Sequence, residues 1–269
     1  MLNDSNFITA LLLTLVAGAA TGVGGVIILF TKKFSSKLLS ASLGFSAGVM
    51  LFISLTELFP EASSTLGELY GEQKGMLFTI LSFFSGIALI AIIDNLIPER
   101  ENPHEYSSVQ QDNESSKLMR LGIFSIIVIA IHNFPEGIAT FIGALNDPQM
   151  GGSITFAIAI HNIPEGIAVA IPIYYATKNK GKALLYATLS GFSELIGALL
   201  CIAITAIFGV ELSGGGPVFP LILAAVAGIM IYISLDELLP TAEKYGKHHI
   251  AIAGVISGMA IMGISLLIL

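Results

Sequence analysis

The chain contains no tryptophan and one cysteine, and only 12% of its 269 residues are charged. A lone cysteine, Cys201 in an apolar run, excludes a disulfide framework and any cysteine-rich zinc or iron–sulfur site. Twelve Lys and Arg against nineteen acids leave a net charge of −7, without the clustered positive charge that phosphate contacts need, so nucleic acid is excluded as a partner. Soluble domains carry about 25% charged residues. With half that share and 54% hydrophobic residues, this chain could not hide its apolar surface inside a water-soluble fold.

What is present instead are long apolar runs. A spanning helix needs about 20 predominantly apolar residues, because the hydrocarbon core is about 30 Å thick. No charge interrupts Ser5–Thr31, Leu38–Thr56, Gly75–Ile93, Leu212–Leu235 or Ile250–Leu269. The stretches near 119–144, 153–176 and 183–209 are equally long, and each carries an acid or a histidine close to its centre. The expectation is an all-α integral membrane protein with eight transmembrane helices. The first run follows no basic segment and exceeds a signal peptide's apolar core, so it is read as a helix of the mature protein.

Eleven of the twelve basic residues fall in the first, third, fifth and seventh loops, and Lys74 alone lies in an even one. The positive-inside rule then puts the odd loops in the cytoplasm and both termini outside. The longest connection, about 98–118, is polar and cytoplasmic, and its single histidine, His104, is too little for a metal-collecting tract. His248 and His249 fall at the cytoplasmic surface.

Two internal repeats are visible. His132–Ala139 reads HNFPEGIA and His161–Ala168 reads HNIPEGIA, identical at seven of eight positions and 29 residues apart. Gly48–Ala62 (GVMLFISLTELFPEA) aligns with Gly228–Ala242 (GIMIYISLDELLPTA) at an offset of 180. A weaker small-residue match sets Thr21 opposite Glu194, and the third and eighth spans share Ser85-Gly86 and Ser257-Gly258. Spans one to three thus correspond to six to eight, and span four to span five. Repeats five spans apart, or one apart, must run antiparallel, which is the inverted-repeat arrangement of secondary transporters with a binding site near the midplane.

On a helix, His132 and Glu136 are four apart and share one face, with Asn133 at its edge; His161, Glu165 and Asn162 repeat the pattern. The prolines between them free the carbonyls of Ile131 and Ile160 and kink the helices there. An ionised carboxylate at the bilayer centre costs at least about 2.5 kcal/mol, and Glu194 adds a third copy. Apart from Arg120 at the cytoplasmic edge of the first, no Lys or Arg lies within the three spans to neutralise them. The remaining compensations are protonation and a divalent cation, and the neighbouring imidazoles and amide oxygens favour the cation. Nitrogen and carboxylate oxygen without thiolate suit zinc, while oxygen-rich shells also suit iron(II) or manganese(II). Asn133 and Asn162 are candidate ligands, with interhelical hydrogen bonding as the alternative. Glu194 is read as a ligand against the alternative of a protonated, inert group.

Nearer the helix ends, Glu57 falls at the outer side, while Glu237, Asp236 and Asp94 fall at the inner side; they read as one acidic patch for each mouth of a pathway, with ordinary polar helix ends as the alternative. Small residues at four-residue spacing (Ser40, Gly44, Gly48; Gly18, Gly22; Gly254, Gly258) offer close helix contacts in a core, a dimer or a sliding interface.

The paired HN-x-PEGIA segments, the eight spans, the outward termini and the glutamate of the sixth span together resemble the ZIP family of metal transporters (Zrt-, Irt-like proteins), more narrowly its bacterial ZupT-type zinc-uptake branch. The resemblance covers the whole chain. It implies a single domain over residues 1–269 with a 3+2+3 helix arrangement: helices one to three over about 6–97, a cytoplasmic loop over about 98–118, helices four and five over about 119–176, and helices six to eight over about 182–269. It also implies a two-metal centre. One site, preferring zinc, would use His132, Glu136, His161 and Glu165. Its neighbour would use Asn133, Glu136, Asn162, Glu165 and Glu194 and accept iron(II). Zn2+ is the implied cargo, with Fe2+, Mn2+ and Cd2+ beside it, taken inward across the bacterial plasma membrane by a homodimer. Many members carry a histidine-rich segment after the third helix; this chain does not, so metal sensing by that loop is not expected. An intramembrane metal-dependent hydrolase is the other class, but there is no HExxH or GxSxG motif, and no catalytic cofactor is expected. A metal-selective channel shares every ligand argument.

Overall fold

The structure is a computed structural model that describes residues 6–30, 35–96, 114–208 and 216–267; within its helices a few side chains, that of His132 among them, lie outside the described set. The described residues are helical apart from short turns and connections, with no β-strand among them. In chain order the α-helices are α1 (Phe7–Val26), α2 (Ser36–Ile53), α3 (Phe59–Tyr70), α4 (Glu72–Leu96), α5 (Glu114–Asn146), α6 (Pro148–Thr177), α7 (Lys180–Phe208), α8 (Val218–Ile233), α9 (Leu239–Tyr245) and α10 (His248–Ser265). Seven segments are long and apolar enough to cross a membrane: Phe7–Leu29, Ser36–Tyr70, Glu72–Asp94, Pro148–Thr177, Lys180–Ile207, Val218–Tyr245 and His248–Ser265. The remaining expected crossing, 119–144, falls within α5, several of whose side chains lie outside the described set. His104 and most of the 98–118 connection also lie outside it. The last part of that connection, from Glu114, is the first turn of α5.

Local chemistry sets the boundaries. Ser35 caps α2 by accepting from Leu38 N–H at 3.2 Å, and Asp147 caps α6 by accepting from Gln149 N–H at 2.8 Å. Gly71, at φ +86°, ends α3 in a backbone region that side chains other than glycine rarely adopt. α5 and α6 run on through Pro135, Pro164 and Pro172.

The two ISL-x-EL-x-P segments adopt the same local structure. Ser54–Leu58 and Ser234–Leu238 are each a single wide π-helical turn, in which the N–H of Phe59 or Leu239 donates to the carbonyl five residues back, Ser54 or Ser234. The cause is the proline that follows: Pro60 and Pro240 cannot donate to Thr56 and Asp236, and their rings crowd those carbonyls. One extra residue in the turn relieves the clash, so α2 continues into α3, and α8 into α9, without a break. Glu57 and Glu237 sit in the widened turns.

Packing places α6 at the centre. In its apolar window 78% of residues are buried, against 17% for α4, which leaves α4 a peripheral helix with lipid-facing sides. The most extensive helix contacts include α2 with α10, α4 with α8, α1 with α6 and α5 with α7, together with α5–α6 and α1–α7. Glycine makes each pairing close. A Cβ at Gly48 would lie 2.1 Å from Val255 O and one at Gly258 would lie 2.2 Å from Phe45 O, so α2 and α10 touch backbone to backbone. Gly86 and Gly228 do the same for α4 and α8, Gly24 and Gly166 for α1 and α6, and Gly137 and Gly197 for α5 and α7. The small-residue faces of α2 and α10 thus serve internal packing.

Candidate metal centre

Asn133 and Glu136 on α5, His161, Asn162 and Glu165 on α6, and Glu194 on α7 all have 0% solvent exposure. The buried polar and charged side chains among the described residues include no lysine or arginine. Close approach of the three helices is what brings the six side chains together. Gly137, beside Glu136, packs on the Glu194 carbonyl of α7, and Gly166, beside Glu165, packs on the Thr21 carbonyl of α1.

The histidine geometry is informative. His161 Nδ1 lies 3.2 Å from the Ala157 carbonyl, which can only accept, so Nδ1 carries a proton. Nε2 is then left facing Glu136, 3.2 Å from Oε1 and 3.3 Å from Oε2. That spacing exceeds the ~2.7–2.9 Å of a charge-assisted hydrogen bond. Two ligand atoms ~2.0–2.1 Å from one tetrahedral zinc ion, by contrast, lie about 3.3 Å apart. An Nδ1–H donated to a backbone carbonyl, which leaves the Nε2 lone pair free to bind a metal, is the usual second-shell arrangement of a metal-binding imidazole.

The amides and remaining acids are oriented by protein groups. Asn162 Nδ2 donates to Ala17 O of α1 at 2.9 Å and to Glu194 Oε1. Ser46 of α2 donates to Glu165 Oε1 at 2.9 Å and lies 3.9 Å from Met50 Sδ. Among the described residues, Asn162 Oδ1, Glu194 Oε2 and both amide atoms of Asn133, Oδ1 and the donor Nδ2, have no hydrogen-bond partner. Leaving a buried polar atom unpaired costs about 1–3 kcal/mol, so several acceptor oxygens with no donor in one pocket form an environment built for a cation. The side chain of His132 lies outside the described residues; its backbone is one turn before Glu136 on α5.

The acids nearer the helix ends fall into two groups. Glu57 is exposed and lines a cleft of about 80 Å³ with Glu61, Met150, Leu223 and Leu266. Asp94, Asp236 and Glu237 come together from α4 and the π-turn before α9, with carboxylate oxygens within 4.8 Å of one another. Tyr232 is hydrogen-bonded to Asp236. His248 is exposed and pairs with Glu243 at 2.7 Å, away from the buried cluster.

Sequence reasoning missed two contributors. Ser46 lies two residues before Gly48 in a stretch read for its small-residue packing, and its repeat counterpart is Val226, so symmetry could not point to it. The Ala17 carbonyl is backbone, which residue types do not reveal.

A sequence profile described as ZIP Zinc transporter matches residues 97–266. The chain belongs to the ZIP family. Similarity to ZIP proteins of the ZupT type runs the full length. Proteins named zinc transporter ZupT are 51% identical in Chlorobium chlorochromatii, covering 98% of this chain and 98% of the relative, and 50% identical in Clostridium perfringens, covering 99% and 98%. The Streptococcus mutans protein of that name is 52% identical over 98% of this chain and 99% of its own length. Membership in the ZIP family together with seven apolar, membrane-length segments makes this a multi-pass membrane protein.

Proposed function

We propose that this chain is a zinc uptake transporter of the cell membrane, and not an enzyme, working by alternating access around a two-metal centre between α5, α6 and α7. The observation that carries the reading is the pocket itself: three buried carboxylates, one imidazole and two amides, with a His161–Glu136 separation suited to a shared tetrahedral ion and no buried lysine or arginine among the described residues. One ion would take His132, Glu136, His161 and Glu165; its neighbour would take Asn133, Glu136, Asn162, Glu165 and Glu194. Glu136 and Glu165 bridge them. Zinc enters past Glu57, sheds water, binds at the centre and leaves past Asp94, Asp236 and Glu237. Iron(II), manganese(II) and cadmium fit the same donor set less selectively.

The architecture proposed for this cycle is one domain over residues 1–269, eight crossings with α5 as one of them, both termini outside, a 3+2+3 inverted repeat, and a homodimer. The glycine contacts support the repeat. The α2–α10 contact through Gly48 and Gly258 has its counterpart in the α8–α4 contact through Gly228 and Gly86, at offsets of 180 and 172. The α1–α6 contact through Gly24 and Gly166 answers to the α7–α5 contact through Gly197 and Gly137, at 173 and 29. Each pairing returns with its two helices exchanged, as a two-fold axis in the membrane plane requires.

The test is uptake by the purified protein in proteoliposomes. Zinc entry should saturate and depend steeply on temperature; linear, weakly temperature-dependent flux would favour a channel. Acid supplies a second reading of the same assay. Imidazole and carboxylate bind metal only when deprotonated, and an ordinary imidazole titrates near pH 6.5. Lowering the outer pH from about 7 to about 5 should therefore raise the half-saturating zinc concentration at least about tenfold. An affinity that stays flat over that range would remove the histidine and carboxylate ligands from the account.

A further inference from the structure

The two bridging carboxylates are not equivalent. On α5, Glu136 faces the His161 imidazole; on α6, Glu165 receives the Ser46 hydroxyl at 2.9 Å. The exchange of helices that relates the two halves carries Ser46 onto Val226, which has no donor. Ser46 is fully buried, as is Glu165, so this bond is shielded from water and holds its geometry. It is also mounted on a stiff support. Gly44 and Gly48, two residues before and after it, lock α2 onto α10, where a Cβ would meet Ala251 O at 2.3 Å or Val255 O at 2.1 Å. Residues two apart point to nearly opposite sides of a helix, so the glycines fix the back of α2 while Ser46 faces α6.

We infer that Ser46 is a positioning residue of the metal centre: its hydroxyl pins Glu165 Oε1, fixes the carboxylate's orientation, and thereby sets the centre's preference for zinc over larger divalent ions. This rests on the reading of Glu165 as a metal ligand. A carboxylate whose one oxygen is engaged presents the other as a single, directed ligand, which suits the ~2.0–2.2 Å bonds and four-coordinate shell of zinc. Released from the hydroxyl, the same carboxylate can turn and offer both oxygens, which favours larger ions with higher coordination numbers such as cadmium. The α2–α10 pair is coupled through this bond to α6, which carries His161, Asn162 and Glu165, so the asymmetry places a rigid support on the α6 side of the pocket.

The experiment measures zinc and cadmium uptake in proteoliposomes for the native chain, Ser46→Ala, Ser46→Thr and Glu165→Gln. Loss of a hydrogen-bonding partner behind a metal ligand typically costs 10–100-fold in metal affinity, so Ser46→Ala should raise the half-saturating zinc concentration about tenfold with the maximal rate within about twofold. Its zinc-over-cadmium preference, a ratio independent of how much protein is inserted, should fall at least about threefold, and Ser46→Thr should restore both readings. Should Ser46→Ala fail to accumulate, Ser46→Cys, which keeps the volume and weakens the donor, reads the same ratio. An unchanged preference, or a loss of maximal rate shared equally by both metals, overturns the inference. Glu165→Gln separates the two levels of the argument: if it transports zinc like the native chain, the metal-centre reading itself fails; if it is inactive while Ser46→Ala matches the native chain, only the positioning role fails.

Discussion

Glu136→Ala and Glu165→Ala should each reduce saturable zinc uptake to the background of empty liposomes, a loss of at least about a hundredfold, since even the partners behind metal ligands are worth 10–100-fold in affinity. The expectation follows from the role proposed for the pair. Each carboxylate is shared between two ions, so its removal opens both sites and takes away a negative charge that the described surroundings supply from no other nearby source except Glu194 and its symmetry-related partner. A purely structural acid would behave in the opposite way. An ionised carboxylate at the bilayer centre costs about 2.5–3.5 kcal/mol, and deleting one that compensates nothing would stabilise the protein or leave it unchanged. Two readouts therefore separate the cases: uptake, and thermal denaturation in detergent with and without added zinc. The native chain should gain stability with zinc because an ion that binds only the folded state shifts the equilibrium toward it. Both variants should lose that gain while remaining folded. Uptake within twofold of the native chain in either variant would remove these residues from the centre. Asn162→Ala should fall between the extremes. It removes one proposed ligand of the second ion and the amide that joins Ala17 O to Glu194 Oε1, so it damages one site and leaves the ligands of the other in place.

Much of this was legible in the residues, and what was not has a physical reason. The duplicated HN-x-PE placed three polar side chains on one face of each of two helices through the 3.6-residue period, and the structure brings Asn133, Glu136, His161, Asn162 and Glu165 into burial together with Glu194. Glu194 was readable because its neighbours are small: Gly191 packs on Gly18 of α1, and the missing side chains are what let the acid reach the centre. The course of the chain around Pro60 and Pro240 was not readable. A proline in a helical pattern signals a stop or a kink, and only the three-dimensional course shows that a π-turn absorbs it and the helix goes on. Pairing partners were equally hidden. Gly44, Gly48, Gly254 and Gly258 advertise close contact without naming the surface they touch, because a glycine is recognised by what it lacks. The inner acids show the same limit. Asp94 is more than a hundred residues from Asp236 and Glu237, and nothing in its local pattern announces that α4 delivers it to them.

Gly166→Ala and Gly24→Ala should each lower the denaturation temperature in detergent by about 2–12 °C and abolish transport. A Cβ at Gly166 would lie 1.8 Å from Thr21 O, and one at Gly24 would lie 1.8 Å from Ile163 O. Both obstacles are backbone, which cannot rotate aside as a side chain can, so α1 and α6 must separate along the length of the contact. Overpacking of a well-filled interior costs about 1–3 kcal/mol, and about 2–4 °C of melting temperature accompanies each kcal/mol in a chain of this size. The functional loss has a separate route. Asn162 holds Ala17 O of α1 at 2.9 Å, and a shift that clears the Cβ clash stretches this bond beyond hydrogen-bonding range, releasing the amide that orients Glu194. Gly24 is the sharper of the two tests, because α1 carries none of the proposed ligands and any loss of uptake must travel through the helix contact. Gly152→Ala is the matched control: nothing lies within 4 Å of its added Cβ, and alanine is the better helix former by about 1 kcal/mol, so it should leave uptake intact and stability equal or higher. If Gly24→Ala melted and transported like Gly152→Ala, the backbone contact between α1 and α6 would have no part in holding the centre together.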